Sequence, residues 1–251
     1  MTSRSGLALA LAIGLSALGG CASAGAREDR YWDPWEPMNR GIFRFNDTLD
    51  DWVLEPAARG WDYVVPDRAE VAIHDFFENL RFPVVFANDL LQCKLEWAIM
   101  ETFRFAVNST VGVAGFLDPA TSLGLIRRSE DFGQTLAAYG VPGGPFLMLP
   151  FLGPSNPRDT VGLAADSAVP GTGFFVSIPL AANVSLRAVN VVNQRARFLD
   201  EIEEAKRSSV DYYVFVRNGY LDYRENQIND GQPGDETFRE ELYDVDEGDG
   251  N

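Results

Sequence analysis

FGQTLAAYGVPGGPFLMLPFLGPSNP, residues Phe132 to Pro157, is a run of 26 positions without one charged side chain. About 20 apolar residues suffice to cross the hydrocarbon region of a bilayer as a helix. This stretch cannot do so, because Pro142, Gly143, Gly144, Pro145, Pro150 and Pro154 punctuate it. Each proline removes a helical hydrogen bond and clashes with the turn before it. A second uncharged run, Ser167 to Leu186, is broken the same way by Pro170, Gly171, Gly173 and Pro179. Irregular backbone in lipid is tolerated only where protein or a water-filled cavity satisfies its N–H and C=O groups. That leaves two readings: these runs fill a soluble core, or they are kinked parts of a body sunk into a membrane and face inward.

The beginning of the chain bears on that choice. Arg4, the apolar stretch Gly6 to Leu18 and the small residues before Cys21 have the layout of a secretory signal. Leu18, Gly19, Gly20 and Cys21 resemble a lipobox, which makes Cys21 the expected site of lipidation and residues 1–20 the expected signal peptide. Acyl chains contribute about 0.8 kcal/mol per buried methylene, so several of them anchor a protein stably. Ala22 and Ser23 come next, with no Asp directly after the cysteine, which resembles an outer-membrane sorting signal. Trp32, Trp35, Trp52 and Trp61 lie soon after the anchor, where such rings suit the headgroup level of a bilayer. They favour the membrane reading.

Helical spacing dominates the body. Ile42, Phe45, Leu49, Trp52 and Val53 fall on one face at steps of three and four, and Val71, Ile73, Phe76, Phe77 and Leu80 do so behind Pro66 and Asp67. Leu90, Leu91, Leu95, Ala98, Ile99 and Phe103 continue the pattern. EDFGQTLAAYG reads as a short helix stopped by Gly140. Ala181–Arg195, Phe198–Arg207 and Asp211–Ile228 read as helices, and hairpin signatures are scarce. The expected fold class is all-α.

The formal net charge is −16, which makes nucleic acid an improbable partner. From Asp230 onward nine carboxylates face only Arg239, leaving that stretch at −8, so residues 229–251 are expected to be a disordered acidic tail. His74 is the one histidine; with Cys93 as the one unmodified cysteine, metal sites of the usual nitrogen and sulfur kind are not expected. Cys93 reads as a small buried thiol without reactivity. No G-x-S-x-G elbow is present, so no catalytic residues and no cofactor are expected. Between the two uncharged runs stand Asn156, Arg158 and Asp159, which read either as polar lining of a pathway or as a helix-starting turn with a local ion pair.

Several long motifs carry a resemblance. DPWEPMNRGIFRFND, NDLLQ with the helix running to NSTVGVAGFLDPA, EDFGQTLAAYGVPGGPFLMLPFLGPSNPRDTVG and DYYVFVRNGYLDYREN together resemble the MlaA (VacJ) family of outer-membrane lipoproteins, over Asp33 to Ile228. The family commonly shows LLQGK where this chain has LLQCK, which puts Cys93 in the place of a glycine.

The resemblance implies a ring-shaped helical body at residues 21–228, embedded in the outer membrane chiefly through its inner leaflet and facing the periplasm, around an amphipathic channel. It implies that stray glycerophospholipids leave the outer leaflet through that channel and pass to a periplasmic carrier of the MlaC kind for return to the inner membrane. It also implies association with trimeric porins. By the same likeness Phe45 and Asn46 belong to the segment shaping the channel mouth. A structural envelope lipoprotein that scaffolds without transport is the competing expectation.

Overall fold

The computed structural model describes residues 31–168 and 180–230. Cys21, most of the second uncharged run and residues 231–251 lie outside them. Contacts divide the chain after Trp32, and all elements below belong to the unit that begins at Asp33.

Helix is the main element, as the spacing predicts. α1 (Glu36–Leu49) runs through a π turn (Asp50–Leu54) into α2 (Glu55–Val64), and α3 (Asp67–Leu80) starts behind Pro66. Next come α4 (Phe82–Leu91) and α5 (Leu95–Thr110), then the short α6 (Pro119–Ser122) and α7 (Phe132–Ala138). A hairpin of β1 (Leu147–Leu149) and β2 (Gly153–Ser155) precedes α8 (Pro157–Ala168), α9 (Leu180–Arg197), α10 (Leu199–Ser208) and α11 (Tyr212–Ile228). Three aspartates begin helices as the sequence pattern requires. Asp118, Asp131 and Asp211 each accept a bond from the backbone N–H three residues on, filling an otherwise orphan donor. Gly140, at φ +81°, closes α7.

The single apolar face expected for Ile42 to Val53 is not formed. Ile42 packs on the apolar core, whereas Phe45, Trp52 (80% exposed) and Val53 face outward, the last two within the π turn itself. The turn brings charge pairing instead. Asp47, Asp50 and Asp51 all meet Lys206, at 2.8, 3.2 and 2.6 Å, and Asp50 also takes Arg195 at 2.7 Å. The stripe Leu90 to Phe103 is likewise two helices, broken at Gln92–Lys94. The hairpin departs from the all-helical expectation: Phe151 and Gly153, both at positive φ, reverse the chain inside the first uncharged run.

The interior is unusual for a soluble domain. Among the described residues, 15 polar or charged side chains are buried against 10 apolar ones. Large apolar side chains face outward instead, including Leu95, Ile99 and Phe103 at i, i+4 spacing on α5, with Tyr63, Val111 and Phe151. Charged and amide groups are rarely buried without partners, so such an interior must be tied together by specific bonds. The apolar core is small: Phe146, Met148 and Tyr213, with Ile42, Phe43 and Tyr220 packed on them. α7 and α8 cross with almost no space. A Cβ on Gly162 would meet the Gly133 nitrogen at 2.4 Å, so only glycine permits this approach.

Candidate functional site

The uncharged run ends by building a helix start. Asn156 caps α8: its Oδ1 accepts the Asp159 N–H at 2.8 Å, and its carbonyl accepts the Thr160 N–H at 2.8 Å. Pro157 occupies the first position, where no N–H is needed. This turn places Asp159 at the centre of a buried network. Asp159 Oδ2 accepts from Asn156 Nδ2 at 2.7 Å, Tyr220 Oη at 2.6 Å and Arg224 Nε at 2.9 Å. Its Oδ1 accepts from Arg158 Nε at 3.0 Å and Arg224 Nη2 at 2.9 Å. Arg224 turns further donors to Asp131, the cap of α7, at 2.6 and 3.1 Å, and to Gln227 Oε1 at 2.8 Å. Burial alone would raise both carboxyls, but the Arg224 guanidinium, joined by Tyr220 at Asp159 and by Gln134 at Asp131, holds them below the ordinary carboxylate range. Burial, reinforced by the Asp159 charge, pushes the Tyr220 phenol up.

Beside this network lies a cavity of about 580 Å³. Its wall comes from α3, α4, the α7 cap, the hairpin, α8, α9 and α11. Phe77, Leu80, Val84, Leu152 and Leu163 supply apolar surface. Glu78, Arg81, Asp131, Asp159, Asp166, Arg187 and Arg224 supply charge, and Asn190, Gln194 and Tyr220 further polar groups. Asp166 accepts from Asn88 Nδ2 at 3.1 Å and from the Phe132 N–H at 3.0 Å. Arg81 donates to Ser129 Oγ at 3.1 Å and to Glu78 at 3.4 Å.

The structure brings Asn156, Arg158 and Asp159 together, with Asp159 on the cavity wall and Arg158 behind it. Arg158 is 9% exposed, held by Asp159 and by the Val141 carbonyl at 3.4 Å. Phe45 and Asn46 stand elsewhere, on α1, and grip the hairpin. The Phe45 ring meets that of Phe151 edge-on at 5.2 Å. Asn46 Nδ2 donates to the Leu149 carbonyl at 2.9 Å while its Oδ1 accepts the Phe151 N–H at 2.9 Å. Sequence reasoning missed Arg81, Asp166, Arg187, Asn190 and Gln194. The signal was present in part: Arg187, Asn190 and Gln194 repeat at i, i+3 and i+7, which puts one polar stripe on α9.

Cys93 is exposed rather than buried, with φ +59°, because it occupies the left-handed residue that ends α4. Neighbouring Asp89 is 2% exposed, and its Oδ1 has no hydrogen-bond partner. Burial, and then Glu130 and Glu101, push its carboxyl up to about 7.

The model of a protein family described as "MlaA lipoprotein" matches residues 31–227. The chain is 33% identical over 247 residues to the intermembrane phospholipid transport system lipoprotein MlaA of Escherichia coli, covering 94% of this chain and 97% of that one. The protein of the same name from Haemophilus influenzae is 32% identical over 204 residues, 80% of each chain. A solved structure described as "Structural basis for maintenance of bacterial outer membrane lipid asymmetry" superposes with a TM-score of 0.69 at 32% identity, covering 78% of this chain and 99% of the other. With its capped α8, its gripped hairpin and a family match that spans nearly all the described residues, the chain belongs to the MlaA lipoprotein family.

Proposed function

We propose that this chain withdraws phospholipids from the outer leaflet of the outer membrane and passes them to a periplasmic carrier, so maintaining lipid asymmetry. The observation that carries this reading is the cavity, whose single wall offers both charge and apolar surface inside a body that turns apolar side chains outward. A phospholipid has the same duality, and a path for it needs polar groups for the phosphate and apolar wall for the chains. Lines of outward Leu, Ile and Phe suit contact with lipid. Among the described residues no helix is long and apolar enough to cross a membrane. In this reading the body is therefore a collar seated in one leaflet, with lipidated Cys21 as a second attachment.

The candidate residues take distinct parts. Asp159 is wall; Asn156 and Arg158 fix it from behind. Phe45 and Asn46 hold the hairpin that presents Leu152, Pro154 and Ser155 to the cavity. No bond of the lipid is made or broken, so the work is binding and handover. A trimeric porin as companion and an MlaC-like carrier as acceptor belong to the same proposal, supported by family membership.

The test is reconstitution of the lipidated full chain in vesicles carrying a labelled phospholipid, with the soluble carrier as acceptor. The expected result is label on the carrier, dependent on the chain and without release of free fatty acid. A scaffold moves no label, and release of fatty acid would reveal an enzyme instead.

A further inference from the structure

The charge inventory of the cavity wall goes beyond the transport reading, on which this inference rests. Four carboxylates line it, Glu78, Asp131, Asp159 and Asp166, against three guanidiniums, Arg81, Arg187 and Arg224. Arg224 is committed, since its donors reach Asp131 and Asp159 at 2.6 to 3.1 Å and it is 8% exposed. Arg81 shares its charge with Glu78 at 3.4 Å. The wall therefore carries no surplus of cations. The cavity is partly open and the Arg81 side chain is 42% exposed, so such a balance acts at short range through charges that water partly screens.

We propose that the cavity favours zwitterionic headgroups, of the phosphoethanolamine kind, over headgroups with net negative charge. A phosphate alone adds an anion to a wall whose charges are already matched, since Arg158 behind it also pairs with Asp159 at 3.0 Å. A phosphate with its own ammonium adds none, and its two ends match the two kinds of group present. Arg81 and Arg187 face the phosphate, while the Glu78 and Asp166 carboxylates face the ammonium. Glu78 and Arg81, three residues apart at the end of α3, set the balance, since either can be neutralised without touching the Asp131–Arg224–Asp159 network.

The experiment compares transfer of labelled phosphatidylethanolamine, phosphatidylglycerol and cardiolipin from vesicles of matched surface charge, by the full lipidated chain to the carrier. Wild type is expected to move the zwitterionic lipid about fivefold faster than phosphatidylglycerol, the order of effect of one charge that water largely screens. Glu78→Gln should narrow that ratio and Arg81→Gln widen it, whatever each does to the absolute rates. Equal rates for all three lipids in wild type, or variants that shift all lipids together, overturn the preference and leave transport standing. Absence of transfer for every lipid overturns transport and the preference with it.

Discussion

Asn39 and Asn46 stand seven residues apart on one face of α1, and each side-chain amide bonds two backbone groups of the same hairpin. Asn39 Nδ2 donates to the Phe146 carbonyl at 3.0 Å while its Oδ1 accepts the Met148 N–H at 2.9 Å. Asn46 repeats the arrangement one step on, with Leu149 and Phe151. Seven helical residues rise about 10.5 Å, close to the span of three strand residues, so the helix acts as a makeshift edge partner for β1. A carboxamide presents the same donor and acceptor pair as a peptide group, and no other side chain but glutamine does. The motif DPWEPMNRGIFRFND thus encodes how a lone hairpin is held without a sheet.

The two contacts differ in burial, which separates their expected costs. Asn39 is wholly buried, as are Phe146 and Met148. Asn39→Ala leaves a donor and an acceptor unsatisfied away from water, so a loss of about 2 to 4 kcal/mol is expected. Asn46→Ala frees groups that water reaches at exposed Phe151, and about 1 kcal/mol is expected. Denaturant unfolding in detergent checks the order; equal losses would show that burial does not decide it.

Arg224 satisfies two buried carboxylates at once, so its removal is expected to be far worse than that of Arg158. Arg224→Met strands Asp131 and Asp159, at a cost of about 3 to 5 kcal/mol. Arg158→Ala leaves Asp159 still bound by Arg224 and Tyr220, and about 1 kcal/mol is expected. The pH dependence changes sign. In the parent the lowered carboxyls stabilise above the unfolded value near pH 4, and that contribution is lost as pH falls through the folded values. In Arg224→Met burial raises them, so the variant gains stability as pH falls. Melting temperatures at pH 5 and pH 8 test this; a variant equally weakened at both overturns it.

Much of the fold was legible because helix signals are local. Pro66 with Asp67, Asp131 and Gly140 mark their boundaries within a few residues, and the capped turn at Asn156 was one of two open readings. The illegible parts depended on distant partners. Nothing near Asp50 announces Lys206, 156 positions on, so the π turn that gathers three aspartates on that lysine left no local trace. The wall charges are scattered from Glu78 to Arg224 and converge only in the fold. The inverted interior also misled periodicity, since an apolar stripe such as Leu95, Ile99 and Phe103 faces outward here.

Asp89 gives the protein an alkaline weakness. Its carboxyl, pushed up to about 7 by burial with Glu130 and Glu101 nearby, is only partly relieved by Lys94 and Arg128. The unfolded value lies near 3.9, so the folded chain binds this proton more tightly. Its stabilising contribution is complete below about pH 4 and is lost as pH rises through about 7. Asp89→Asn cannot ionise, so its stability relative to the parent should rise by roughly 1 to 3 kcal/mol between pH 5 and pH 8. Parallel pH profiles for the two proteins would rule out this carboxyl as the cause.

Cys93 supplies the last expectation. The end of α4 is a Schellman turn, in which the Lys94 N–H donates to the Asp89 carbonyl at 2.8 Å and the Cys93 N–H to the Leu90 carbonyl at 3.1 Å. The turn requires its central residue in the left-handed region, and Cys93 sits there at φ +59°. That conformation costs a residue with a Cβ about 1 kcal/mol and spares glycine this penalty, which is the physical reason to expect a glycine at this position, as the resemblance does. Cys93→Gly is therefore expected to stabilise by up to about 1 kcal/mol, raising the melting temperature by about 2 to 4 °C for a chain of this size. The parent thiol, being exposed, should react with a maleimide while the protein is folded. A thiol that reacts only after unfolding, or a glycine variant less stable than the parent, would show that the side chain packs and is not merely tolerated.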